Sequence, residues 1–267
     1  MAQRIAGLFT RQIRRSILAA LVLSAAFGAS GARAGTHLVQ HAQVPVPVRF
    51  DGISFRYGSS MANTVTAKIF SRLQAAPTPP GAVFSFPGYI GPFNNAILNV
   101  YAVQALNQDR FFRHDIPLLR SMLRTQPSLA HVTHVPYILF SEGRMFFQTR
   151  FRYVHFANGS GIAFLTTYGL GPVILTNHYY PLKWVFEGLT NDGRYAVTAT
   201  FPVRDPGLPN TENPAAHVPN PYAAYLRHVA NQANRLSQDA FVPYLNNLVL
   251  LAESLDLHPR NLPTYWK

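Results

Sequence analysis

The sequence predicts an α+β fold in which an antiparallel β-sheet built from hairpins packs against C-terminal helices. Long β-branched and aromatic stretches run into two tight-turn dipeptides, Asn158-Gly159 and Asp192-Gly193, and out again into return strands. Helical spacing is confined to one segment after Asp115 and to two at the C-terminal end. Strands and helices therefore segregate instead of alternating, which argues against a parallel α/β sheet.

In chain order, residues 1-34 have the layout of a cleaved bacterial signal peptide. Arg4, Arg11, Arg14 and Arg15 precede an apolar run from Ile17 to Phe27, and small residues lead to an A-x-A site at Ala32 and Ala34. The run is too short for a bilayer span, which needs about 20 residues. The expected address is periplasmic or secreted, with no transmembrane span after cleavage. Arg14-Arg15 leaves both the general secretory and the twin-arginine routes open. Residues 35-50 read as an extended arm or an edge strand, because Pro45 and Pro47 cannot donate to a sheet ladder.

A single α+β domain is expected over 51-267. Strand patterns cover Asp51 to Tyr57, Thr64 to Phe70, Ala82 to Phe86 and Ala96 to Val103, and the proline-rich run from Ala75 to Gly81 is a connection. Ile116, Leu119 and Leu123 repeat at helical spacing between Asp115 and Gln126, with Asp115 as the expected N-cap and Pro117 in the first turn. Met145 to Ala157 and Gly161 to Tyr168 form the first central hairpin; Pro181 to Thr190 and Arg194 to Val203 form the second. In the second, apolar faces superpose only if paired residue numbers sum to an odd total, as when Asn191 opposes Arg194. One buried aromatic face and one polar face are expected there. Residues 204-221 are rich in Pro and Asn and read as a long loop. Tyr222 to Leu236 and Phe241 to Leu255 read as amphipathic helices.

Composition narrows the functions. No cysteine occurs, which excludes disulfides and thiolate metal sites. The formal charge is +12, but five of the 23 basic residues and none of the 11 acids fall in residues 1-34, so the remainder carries 18 against 11, or +7. That surplus favours an acidic envelope component or a small acidic ligand, and nothing in the chain matches a nucleic-acid-binding module.

Candidate chemistry is sparse. His131 with His134, and His37 with His41, have ligand-like spacing but no nearby carboxylate, so no metal site and no cofactor are expected. His155 and His178 fall in the aromatic β region, where hydrogen-bonded core histidines are expected. Neither Gly159-Ser160-Gly161 nor Gly58-Ser59-Ser60 fits a nucleophile elbow. On the Met145 to Ala157 strand, Gln148, Arg150 and Arg152 share a side opposite Phe147, Phe151 and Tyr153. With Lys183 from the next hairpin they form the candidate ligand-binding stripe. A non-enzymatic binding or accessory protein of the envelope is the leading expectation. The alternative is a secreted hydrolase assembled from distant residues, with Asp192, His155 and His178 as its candidates.

The stretch Asn158-Gly159-Ser160-Gly161 through Leu165-Thr166-Thr167-Tyr168, then Phe186-Glu187-Gly188-Leu189-Thr190-Asn191-Asp192-Gly193-Arg194-Tyr195 and Pro202-Val203, resembles a family of uncharacterised exported bacterial proteins. Its motifs read N-G-x-G-x-R-x-L-T-x-Y and F-x-G-L-T-x-D-G-x-Y. Ala163 stands where the first motif has arginine, and without cysteine the lipid anchor of many members is not implied. The resemblance implies export and no particular activity. The hairpins with flanking helices are also loosely similar to the Mog1/PsbP-like sandwich, an analogy of fold alone.

Overall fold

The computed structural model describes residues 43–71, 79–108, 112–132, 134–138, 144–210 and 218–264. The expected signal peptide, with Ala32 and Ala34, lies outside them, as do the first part of the arm and residues 211–217 of the long loop.

The fold is mixed α+β, with every strand pairing antiparallel. β3 (Thr66–Phe70), β4 (Gly81–Ser85) and β5 (Ile97–Ala102) form one meander. β6 (Arg144–Phe156), β7 (Gly159–Gly169), β8 (Leu182–Thr190) and β9 (Tyr195–Val203) form another. They join between β5 and β9 into a seven-stranded sheet of order β3-β4-β5-β9-β8-β7-β6. A second, three-stranded sheet was not foreseen. Its order is β1-β2-β10, from Pro45–Phe50, Ile53–Gly58 and Asp256–Leu257. The proline-bearing arm residues are thus the edge strand β1, and their missing N–H groups cost nothing on an unpaired side.

The β8–β9 register follows the odd-sum rule, with Phe186 opposite Ala199 and Trp184 opposite Phe201. The face expected to be polar does carry Lys183, Glu187, Thr198 and Thr200, but it is covered instead of solvated, so both faces of this hairpin are buried. The cause is topological. The chain leaves β5 near the middle of the sheet and re-enters at its edge as β6. The connection carries α1 (Val103–Asn107) and α2 (Asp115–Thr125) across the face that alternation would have left to solvent. Ile116, Leu119, Leu123, Val135 and Ile138 pack there against Ile162, Phe164, Val185 and Leu189. The other face meets the small sheet and the C-terminal helices α3 (Tyr222–Arg235) and α4 (Leu245–Glu253), over a layer of Phe84, Phe86, Trp184, Phe186 and Phe201.

Two helix ends differ from expectation. Asp115 lies one residue inside α2, whose N-cap is His114; its carboxylate still meets the positive end of the helix dipole. α4 begins at Leu245, four residues later than the apolar spacing suggested. Val242 is held in an extended bridge, exchanging backbone hydrogen bonds with Arg204, and Pro243 follows it. Part of the long loop is not a surface loop. Asp205 is 1% exposed and Leu208 is buried, and the Asn177 amide donates to the carbonyls of both.

Candidate functional site

The candidate stripe on β6 depends on strict alternation, which β6 does not keep. Thr149 pairs with Leu165 but Arg152 pairs with Ala163, so Arg150 and Phe151 together oppose Phe164 in a β-bulge. Arg150 takes the bulge's left-handed conformation at φ +55°, which a non-glycine residue holds only where its side chain is well anchored. The inserted residue reverses the parity of the strand. Arg150 and Arg152 turn to the face covered by α3 and α4, whereas Gln148 lies on the opposite face. The pairing rows then place Gln148, Thr166 and Lys183 side by side across β6, β7 and β8. The four expected residues are thus brought together as two pairs on opposite faces, and not as one stripe.

The arginine pair borders a cleft of about 330 Å³ between the sheet and the C-terminal helices. Ala163, Leu165 and Trp184 of the sheet and Leu245 and Val249 of α4 supply its apolar lining; Asn234 and Gln238, from the end of α3 and the turn after it, add amides. Arg150 is the inner cation. Its Nη1 donates to the carbonyls of Ala233 (2.6 Å) and Leu236 (2.8 Å), occupying the negative end of α3, and its guanidinium carbon sits 5.3 Å from the centre of the Phe241 ring. Nε and Nη2 are not used by those bonds. Burial lowers the Arg150 pKa from its ordinary value, and the charge of Asp205 opposes that shift. The Asp205 carboxyl is itself raised by burial, against the Gly207 N–H it accepts and the charge of Arg150. Arg152 is the outer cation, 46% exposed and 3.6 Å from Glu253. An exposed pair of that length adds little stability, so the Arg152 charge is available to a partner.

On the opposite face Gln148 acts as a backbone surrogate. Its amide accepts from the Val135 N–H (2.7 Å) and donates to the Val135 carbonyl (3.2 Å). The fully buried Glu187 accepts from the Ile138 N–H at 3.0 Å and so ties down the same segment. Lys183 places its ammonium 3.6 Å from the centre of the Tyr168 ring, and burial lowers its pKa to about 8. Burial raises the Tyr168 phenol in turn.

The hydrolase candidates do not converge. His178, in the connection before β8, stacks on Phe93 and meets Tyr179 edge-to-face; Asp192 lies in the turn after β8. A strand of that length separates them by roughly 26 Å. The Asp192 carboxylate accepts from the Thr190 hydroxyl (2.6 Å) and the Arg194 N–H (3.0 Å), and these bonds hold its pKa below the ordinary value, the hydroxyl most strongly. It builds the turn. His155 and His178 are both exposed, which overturns the expectation of core histidines; on the edge strand β6 the His155 Nε2 lies 3.5 Å from the Gln126 amide nitrogen. Among the described residues no three His, Asp or Glu side chains are grouped to hold a metal, and no helix is long and apolar enough to cross a membrane.

The chain matches no family model, no curated protein and no solved structure. The cleft is therefore judged on its own chemistry: two guanidinium groups and two amides around an apolar floor. Sequence reasoning missed Asn234, Gln238, Leu245 and Val249 because they lie some 80 to 100 positions from the arginines. Leu245 and Val249 fall within the helix read over Phe241 to Leu255; nothing marked Gln238.

Proposed function

We propose that this chain is an exported, non-enzymatic binding or accessory protein of the bacterial envelope, and that the cleft between β6–β8 and α3–α4 takes a small acidic ligand with an apolar body. The observation that carries the reading is Arg152 paired with Arg150 at the rim of a lined cavity whose floor is Leu165, Trp184, Leu245 and Val249. Cavities of a few hundred Å³ with a mostly apolar wall and a few convergent polar groups are the usual form of small-ligand sites. A guanidinium suits carboxylate or phosphate, because it presents paired donors and stays charged. The charge surplus outside residues 1-34 supports an acidic ligand, and the order of charge, apolar run and A-x-A site supports export.

The test is calorimetric titration of the purified protein with decanoate, decyl phosphate and decanol. Both anions are expected to bind and decanol is not, and Arg152→Ala weakens the anions about tenfold while leaving the melting temperature within a degree or two. Equal binding of decanol, or anion affinity untouched in the variant, would sink the proposal for this cleft. Export is tested separately: secretion from a bacterial host is expected to yield a protein starting at Gly35, read by intact mass.

A further inference from the structure

Among the described residues seven large apolar side chains stand exposed, and four of them, Ile90, Phe93, Leu170 and Tyr179, gather at one end of the seven-stranded sheet. The topology brings them there. Leu170 directly follows β7 and Tyr179 lies just ahead of β8, while Ile90 and Phe93 belong to the connection from β4 to β5. That connection folds over the end of β9, where the Tyr89 hydroxyl donates to the Pro202 carbonyl at 2.9 Å. His178 joins the two connections, its ring stacked on Phe93 at 6.5 Å and edge-to-face with Tyr179 at 4.6 Å. From β7 to β5 the patch crosses three strand spacings, about 15 Å. Leu170 is 91% exposed, and Phe93 presents a half-exposed ring from left-handed backbone at φ +63°, a conformation that costs a non-glycine residue free energy. Single exposed apolar side chains are ordinary on a protein surface, whereas a group of them at one place marks a contact.

The charges around the patch indicate what it meets. Residues 86–98 and 169–182 contain no Asp, Glu, Lys or Arg. Exposed cations border them: Arg144 pairs with Gly169, next to Leu170, and Arg204 follows the last residue of β9. No ion pair joins either arginine to a described acid, and Asp205, beside Arg204 in the chain, is buried. An apolar surface bordered by cations complements an anionic bilayer: the acidic headgroups meet the arginines, and the apolar side chains enter the boundary between headgroups and acyl chains. A tyrosine suits that boundary, with its ring in the apolar layer and its hydroxyl in water. From this arrangement we infer that this end of the sheet docks on the surface of a bilayer rich in anionic lipid, with Leu170 and Phe93 inserting and Arg144 and Arg204 on the headgroups. None of these residues lines the cleft, so the inference does not rest on the proposed ligand site.

The chain has no cysteine, so a single introduced one can carry a polarity-sensitive nitrobenzoxadiazole label. Asn95→Cys puts the label on an exposed position two residues from Phe93, and Arg194→Cys puts it in the turn between β8 and β9, at the other end of the sheet. Circular dichroism first establishes that each variant is folded. Vesicles of phosphatidylglycerol and phosphatidylcholine in equal parts are expected to brighten and blue-shift the label at position 95, with quenching by doxyl-labelled lipid, and to leave the label at position 194 unchanged. Read by the label at position 95, Leu170→Ser combined with Phe93→Ser is expected to weaken binding to these vesicles about tenfold or more. Arg144→Ala combined with Arg204→Ala is expected to weaken it about tenfold, and pure phosphatidylcholine vesicles to bind the unsubstituted patch at least as poorly. Equal binding to neutral and anionic vesicles, or affinity untouched by either pair of substitutions, overturns the inference. So does an equal response from both labels. A label that stays silent on every vesicle also overturns it, and a dimer in sedimentation that Leu170→Ser abolishes would then assign the patch to a second copy of the chain.

Discussion

On one face of the seven-stranded sheet Phe84, Phe86, Trp184, Phe186 and Phe201 form an aromatic layer, with ring contacts such as Trp184 to Phe186 at 6.1 Å and Phe86 to Phe201 at 4.9 Å. On the other, Glu187, Asn99, Thr198 and Thr200 are buried beside aliphatic side chains under α2 and the 134–138 segment. Both faces exclude water, and they do so by different means. The first gains from apolar area and close packing, which tolerate no lost volume. The second holds its cover through a few hydrogen bonds, whose loss strands backbone groups that have nowhere else to turn. The cleft occurs on the first face, where α3 and α4 lie over the strands and the bulge delivers two cations into the gap between them.

Deleting volume on the aromatic face should do the most damage. Phe186→Ala removes a fully buried ring that contacts Trp184 and Phe156, and about 4 kcal/mol of stability is expected to go with it in urea unfolding. The same ring explains two glycines opposite each other in the β7–β8 ladder. A Cβ on Gly161 would stand 2.4 Å from the Phe186 ring and one on Gly188 would stand 3.0 Å from it. If Phe186→Ala costs less than about 1 kcal/mol, the aromatic layer is looser than these contacts imply.

A break on the polar face should be smaller and local. Gln148→Ala leaves the Val135 N–H and carbonyl without their partner, and a loss of about 2–3 kcal/mol is expected, concentrated in the cover and not in the sheet. Hydrogen exchange locates it. Protection at Val135 and Ile138 should fall well before that at Val185 or Val197. Uniform loss across both sites would show that the two faces unfold as one unit.

These contacts also explain what was legible in the sequence. Turn dipeptides and period-two alternation gave the hairpins, and the marked faces of β8 and β9 gave the parity of their register. Three glycines of the first hairpin and β8, Gly159, Gly161 and Gly188, are packing residues: Gly159 faces the Phe156 ring and the other two face Phe186. These glycines therefore report the shape of the core and not a site. The bulge at Arg150 was illegible because no glycine or proline marks it. Its left-handed backbone is held by anchors, the Ala233 and Leu236 carbonyls, more than eighty residues away. One inserted residue moved Gln148 to the far face, and alternation cannot register such a shift without knowing the pairing partner. The burial of the polar face was illegible for a similar reason, since its cover comes from a connection whose path is fixed by strand order.

The smallest effect tests the polar face through its half-buried cation, Lys183. The pKa of Lys183 is about 8 in the folded protein against an ordinary value of 10.5, because burial disfavours the ammonium more than the Tyr168 ring stabilises it. Below pH 8 the group is protonated whether the chain is folded or not, so the whole penalty is present. Between pH 8 and 10.5 the unfolded chain binds more protons than the folded one, and stability contributed by this group rises with pH. The Tyr168 phenol, raised by burial, works in the opposite sense above pH 10, which confines the useful window to pH 7–10. Lys183→Met keeps most of the side-chain volume and removes the charge. At pH 7 it is expected to gain about 1–2 kcal/mol, a fraction of the full shift because the lysine retains contact with solvent and with the ring. The gain should shrink as the wild type loses its proton toward pH 10, and melting temperatures of both proteins across that range measure it. A gain independent of pH would mean that Lys183 is limited by packing and not by charge. A loss at pH 7 would mean that the ammonium over Tyr168 is a net stabiliser, and the two faces would then differ less than the burial of their groups suggests.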